Sequence, residues 1–227
     1  MPARVKADLE KIKELERIIS ENKTKYPIEK IIEDGRKEKV IDIVVKTILS
    51  QNTSDKLRDI AFSNIKRNFK DMKDIIKADS KKIEKLIRVC GLPKIKTKRM
   101  KTALKEILRR FEDPEKMKEE EEEKLFSFLC SIKGIGPKSA SVIMAFAGFD
   151  TFPVDTHISR IIRRIGIANG SREKIFQMVS PHIKNKIVAH IFLINHGRNI
   201  CKAKNPKCEE CLFQKICEYR KTHYKKK

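Results

Sequence analysis

Between Leu129 and Arg164 the chain reads LCSIKGIGPKSASVIMAFAGFDTFPVDTHISRIIRR, and few folds accommodate such a stretch. Ile132-Lys133-Gly134-Ile135-Gly136 is too short and too rich in glycine to be a helix or a strand. Glycine accepts positive φ and lets another backbone come close, so Gly134 and Gly136 suit a tight turn. Pro137 fits the first position of a helix, where a missing N–H costs nothing. Ser139 to Ala147 is apolar nearly all round (Ala140, Val142, Ile143, Met144, Phe146), as in a helix buried on every side. A glycine turn feeding a helix N-terminus leaves amides pointing outward, a ready site for an anion. Taken alone, the turn is equally consistent with a plain interhelical connection.

The rest of the chain predicts helices. Val5, Leu9, Ile12, Leu15, Ile18 and Ile19 recur at helical spacing over 4–21, and a short helix follows over 28–33. Asp34-Gly35 reads as a turn and a boundary. The dense apolar run over 39–50 predicts a core helix. Ser50 to Asp55 then supplies a polar stop and the cap for a helix over 55–68. Shorter helices are expected over 72–77 and 80–89, ended by Gly91-Leu92-Pro93. A basic helix runs on to Phe111. The run Glu119 to Glu123 reads as a solvated helix face, since adjacent glutamates splay around a helix. Helices over 124–131, 156–165, 172–179 and 184–196 complete the pattern. No stretch alternates with period two, so the expected fold class is all-α.

Charge narrows the partner. Lys and Arg number 53 against 31 Asp and Glu, a net +22, which suits a polyanion: nucleic acid first, an anionic membrane second. No apolar run approaches the ~20 residues that span a bilayer. The N-terminus carries no apolar signal core, which predicts an intracellular protein of the cytoplasm or nucleoid. Abundant Lys and Glu with few glutamines hint at a heat-adapted, archaeal or thermophilic source.

Six cysteines in such a chain argue against a disulfide framework. Cys90 and Cys130 stand alone in apolar contexts, as small core residues do. The other four follow one another as Cys201-x6-Cys208-x2-Cys211-x5-Cys217. Four thiolates that close can wrap one metal centre. By chemistry alone a structural zinc and an iron–sulfur cluster are equally good occupants.

Ile-Lys-Gly-Ile-Gly-Pro-Lys-Ser-Ala, followed by Val154-Asp155-Thr156-His157-Ile158, resembles the helix-hairpin-helix and Gly-Pro-Asp loop of base-excision DNA glycosylases, above all the endonuclease III branch. Ile48-Leu49-Ser50-Gln51-Asn52-Thr53-Ser54-Asp55 is similar to the early Leu-Ser-x-Gln motif of that family, with Gln51 one place early and Asn52 in the usual glutamine slot. Gly91-Leu92 ahead of a basic stretch resembles its DNA-probing loop. His196-Gly197-Arg198 and the 6-2-5 cysteine spacing resemble its C-terminal signature. The resemblance thus runs in order over roughly residues 40 to 218. Lys133 stands where the family usually has proline, and the interval from Lys138 to Asp155 is one residue short of the bacterial pattern.

That resemblance implies a two-domain helical fold. Its six-helix domain spans 32–149, with the hairpin at about 125–148, and residues 1–31 join 150–227 in an iron–sulfur domain. DNA is expected in the cleft between them, and Lys138 and Asp155 are expected to meet there as nucleophile and catalytic carboxylate. The other expected DNA contacts are Gln51, Asn52, Leu92, Gly134, Ile135, Gly136, Ser139, His157 and Arg160. Cys201, Cys208, Cys211 and Cys217 are expected to hold a [4Fe–4S] cluster. The implied activity is that of a glycosylase and abasic-site lyase on double-stranded DNA with damaged bases or abasic sites. Oxidised pyrimidine is the first substrate, and alkylated purine or mispaired thymine or uracil the alternative. A monomer without membrane contact is expected. The rival from another class is a non-catalytic iron–sulfur DNA-binding protein, which needs neither Lys138 nor Asp155.

Overall fold

The structure, a computed structural model, describes residues 7–223. Among these residues are thirteen α-helices and no strand. In chain order they are α1 (Leu9–Glu21), α2 (Ile28–Arg36), α3 (Val40–Leu49), α4 (Asp55–Asn68), α5 (Asp74–Lys77), α6 (Ser80–Ile87), α7 (Pro93–Arg110), α8 (Glu122–Ser131), α9 (Pro137–Ala147), α10 (Thr156–Ile165), α11 (Arg172–Val179), α12 (Lys186–Asn199) and α13 (Glu218–His223). The all-α expectation holds. None of these helices is long and apolar enough to cross a membrane.

The chain divides into two compact units, Glu33–Phe149 and the remainder, which joins the residues up to Ile32 to those from Asp150 onward. In the first unit α3 is the central element. Val40, Val44, Val45, Ile48 and Leu49 are all fully buried, and α4, α7 and α9 pack around them. Helix α9 buries Ser139, Ala140, Ser141, Ile143, Met144, Ala145 and Ala147, so the apolar run read from the sequence does lie inside the unit.

The second unit forms its own core from Ile12, Leu15, Phe152, Ile158, Ile162, Phe192 and Phe213. Helix α10 turns Ile158, Ile161, Ile162 and Ile165 inward and packs against α11, α12 and α13. Gly197 allows α12 to approach α10, because a Cβ there would stand 2.8 Å from the Cβ of His157.

Several boundaries differ from expectation. Helix α1 opens at Leu9, where Asp8 Oδ1 accepts a hydrogen bond from Lys11 N at 3.0 Å. Residues 4–6 of the expected helix lie outside the described residues. Of the glutamate run, Glu119 ends a 3₁₀ turn and Glu120 pairs with Arg110 at 2.7 Å; α8 begins only at Glu122. Helix α13 carries too short an apolar pattern to be read from sequence.

Gly35 is the most informative difference. It was expected to mark a turn, yet α2 continues through it to Arg36. The glycine serves packing: a Cβ at this position would lie 2.3 Å from Cδ1 of Phe146 on α9. An alanine in an open helix interior gains about 1 kcal/mol over glycine. Here the sign should reverse, because the ring or the helix must move. Gly35→Ala is expected to destabilise the protein by about 1–3 kcal/mol, as overpacking does. Urea unfolding of the variant checks this, and a gain in stability would show that the contact is soft.

Candidate active site and metal centre

The hairpin is closed by its own backbone. Ile132 ends α8, and Ile135 N donates to Ile132 O at 3.0 Å. Gly134 takes φ of +102°, where its missing Cβ makes room for the side chain of Arg99. Gly136 behaves otherwise than expected. Its φ is −97°, extended backbone open to any residue, and it stands as the N-cap of α9 without a side-chain cap. Nothing would meet a Cβ there within 4 Å. Open space in front of an uncapped helix N-terminus is what an approaching phosphate needs. Ile135 contributes no exposed side chain, being 3% exposed in the core, and Ser139 is also buried. Lys138, the second residue of α9, is exposed.

The early motif is tied to this hairpin. Gln51 Nε2 donates to Gly134 O at 3.0 Å and lies 3.4 Å from Ser139 Oγ, while Gln51 Oε1 accepts from Arg99 Nη1 at 2.5 Å. Gln51 is therefore engaged inside the unit. Its neighbour Asn52 is exposed and adopts φ of +54°. Leu92 resembles it: φ is +51° and the side chain is 46% exposed, at the N-cap of α7. Left-handed backbone is uncommon for residues other than glycine, and rarest for bulky ones. Among the described residues other than glycine, only Asn205, in the cysteine loop, shares this backbone form with the polar Asn52 and the apolar Leu92.

Asp155 opens α10. Its Oδ1 accepts from His157 N at 2.8 Å and Ile158 N at 2.9 Å. This satisfies two amides of the first turn and leaves Oδ2 outside the cap. Arg160 faces the cysteine loop, with His157 beside it. Arg160 Nε donates to Cys201 O at 2.9 Å; its Nη2 donates to Gly197 O at 2.9 Å and lies 3.1 Å from His157 Nδ1. Sequence reading missed this bracing, because an arginine on a basic helix looks like a phosphate contact.

The four C-terminal cysteines line one recess, together with Arg164, Pro206, Tyr219 and Arg220. Among the described residues no three His, Cys, Asp or Glu side chains converge closely enough to hold a single metal ion. Four thiols around one recess, no three of which close on a single ion, fit a multinuclear cluster better than a zinc ion. The surroundings fit too. Arg164 Nη1 donates to Cys201 Sγ at 3.3 Å, and His196 Nε2 lies 3.2 Å from Cys211 Sγ. His196 is fully buried between the Phe192 and Phe213 rings, and burial lowers its pKa to about 4. It is therefore neutral, and its tautomer protonated at Nε2 would donate to a thiolate at Cys211.

Burial pushes the Cys211 thiol up to about 12, and Cys208 and Cys217 are raised by burial and by their neighbouring cysteines. Four thiolates can thus persist here only against compensating positive charge, which the cluster irons supply. A cluster held by these four residues would pin the loop. Lys202, Lys204 and Lys207 lie exposed on the same loop.

The comparisons with known proteins agree with this geometry. Residues 45–181 match the HhH-GPD superfamily of base excision DNA repair proteins, and residues 201–217 match the iron–sulfur binding domain of endonuclease III. Endonuclease III of Sulfolobus acidocaldarius is 34% identical over 194 residues, covering 82% of this chain and 84% of that protein. The Rickettsia felis endonuclease III is 30% identical over 183 residues, covering 78% and 82%. Among solved structures, a non-covalent endonuclease III–DNA complex matches 81% of this chain and 85% of its own, with a TM-score of 0.71 at 22% identity. A thermostable thymine-DNA glycosylase matches 89% and 98%, with a TM-score of 0.69 at 19% identity. The chain belongs to the HhH-GPD superfamily, in its endonuclease III branch, and is a base-excision DNA glycosylase with a [4Fe–4S] cluster.

The purified protein should contain about four irons per chain and absorb broadly at the visible–ultraviolet boundary. Because the free ligands favour their protonated thiol forms, acid should displace the cluster, and the melting temperature should fall with the lost absorbance. Iron analysis and a pH series of melts check both. A colourless anaerobic preparation with one zinc would contradict the assignment.

Proposed function

We propose that this enzyme removes damaged bases from duplex DNA, oxidised pyrimidines first, and then cleaves the strand 3′ of the abasic site through Lys138. The observation that carries this reading is Lys138 itself, exposed at the second position of an uncapped helix behind a glycine hairpin. A binding module needs the amides of that helix but not an amine beside them.

A nucleotide must leave the stack before such a site can act on it. The exposed tips of Asn52 and Leu92 are suited to occupy the vacated space and wedge the duplex, while Gln51 supports the hairpin from behind. The Lys138 amine then attacks C1′. The base departs with the electrons of the glycosidic bond and takes up a proton. The attacking amine gives up one proton and keeps the other; O4′ takes up a proton as the sugar ring opens, leaving an iminium between Nζ and C1′. Loss of a proton from C2′ moves electrons toward the iminium and expels the 3′ phosphate oxygen. Water then hydrolyses the linkage and frees the lysine. Asp155 stabilises the positive charge that develops on the sugar and assists the proton transfers.

The likeness to a thymine-DNA glycosylase fold favours one second reading, excision of mispaired thymine or uracil. Duplexes carrying thymine glycol, a uracil or thymine mismatch, or an alkylated purine separate the readings by single-turnover rate. The oxidised pyrimidine should be released fastest. Fastest release of another base would replace the substrate and keep the chemistry.

Asp155→Asn separates its two roles. Asparagine is as good an N-cap as aspartate, so the melting temperature should hold. Base release should slow by ~10² to 10⁴ as expected for a positioned acid–base group. Cleavage at a preformed abasic site, where no base has to leave, should suffer less. Equal losses on both substrates would remove Asp155 from base release.

A further inference from the structure

Lys96 is the largest charged side chain in the interior, 1% exposed on the inner face of α7. Burying an ammonium costs several kcal/mol unless its donors are met. Here Nζ donates to Leu49 O at 2.8 Å and to Cys90 O at 2.7 Å, both within the core. Those acceptors are not arbitrary carbonyls. Leu49 is the last residue of α3, and Cys90 ends the 3₁₀ turn Arg88–Cys90. Each is the negative end of a helical segment, where a cation is favoured. The backbone N of Lys96 also donates to Leu92 O at 3.0 Å. One residue is thereby bonded to both segments that end in the left-handed tips, three positions before Asn52 and immediately around Leu92.

Satisfying two buried carbonyls does not by itself require a lysine from a third element; separate polar groups could serve. What a single ammonium adds is a shared anchor. Leu92 does not hold its positive φ cheaply, and Asn52, though asparagine tolerates that region better, is exposed at a turn, so each tip needs its base held still. We propose that Lys96 is a positioning residue that locks the Asn52 and Leu92 segments to each other, so that both enter a duplex as one rigid pair. This rests on the reading of those two tips as the DNA-wedging residues.

Native-state amide exchange tests the lock without DNA. In the wild-type chain the amides of Ser50, Gln51 and Gly91, which are bonded to Lys46, Ile48 and Arg88, should open together. They should share one opening constant and one denaturant dependence, as a single cooperative unit does. Lys96→Met should accelerate exchange in both segments by about tenfold or more, as loss of charge-assisted bonds does, and leave the amides of Phe69 and Phe149, bonded to Ile65 and Met144 in the same unit, unmoved. On duplexes with 2-aminopurine opposite an abasic analogue, the variant should lose most of the fluorescence change that the wild type produces on binding.

Independent opening of the two segments in the wild type overturns the proposal, whether or not the variant folds. So does acceleration in one segment alone, or equal acceleration throughout the unit, which would mark an ordinary structural residue. Segments that open together in a chain that excises no base would contradict the enzymatic reading alone. Independent opening in an active enzyme would contradict the role of Lys96 alone.

Discussion

A protein built only of helices must settle the backbone groups that every helix leaves unpaired at its ends, and this requirement organises the whole molecule. Its interior is filled by ordinary isoleucine, valine and leucine packing. The residues proposed to do chemistry or to hold DNA stand where helices stop. Asp155 caps α10, Lys96 caps two C-terminal ends at once, and α9 begins without a side-chain cap at all. An end that the chain leaves unsatisfied is available to a ligand, so the missing cap at Gly136 is as informative as the cap at Asp155.

The same logic explains why the two glycines of the hairpin differ. Gly134 needs its positive φ and the room that Arg99 fills. Gly136 needs neither, and its small size leaves the front of α9 open. The hairpin is held from behind by Gln51, whose amide joins it to the segment that carries Asn52. Both ends of that contact lie in one compact unit, so the hairpin turn and the segment carrying Asn52 share a frame. The cysteine loop is a separate solution to the same problem. Beyond α12 it has few apolar residues of its own, and Arg160, Arg164 and His196 hold it through backbone carbonyls and sulfur.

Much of this was legible in the sequence, and the reasons are physical. Helix interiors announce themselves by period, and α4 and α11 fall where periodicity and caps placed them. The hairpin, the aspartate loop and the four cysteines are local in sequence, so their chemistry could be read as motifs. What could not be read is non-local. Gly35 looked like a turn because its partner, Phe146, lies more than a hundred residues away. Gln51 and Asn52 are equivalent as polar residues at a helix boundary; only the fold turns one inward and leaves the other exposed. Lys96 sits among Lys94, Lys98, Arg99 and Lys101, a run that reads as solvated charge, and nothing local marks it as the one that is buried.

The central claim is that the amine of Lys138 becomes bonded to DNA. Borohydride reduction during turnover on an oxidised-pyrimidine duplex freezes the iminium as a stable amine, and proteolysis with mass spectrometry then locates it. The account predicts a single modified peptide carrying the sugar remnant on Lys138, and none in the Lys138→Gln variant. A remnant on another lysine or on the N-terminal amine, at undiminished yield in that variant, would contradict it.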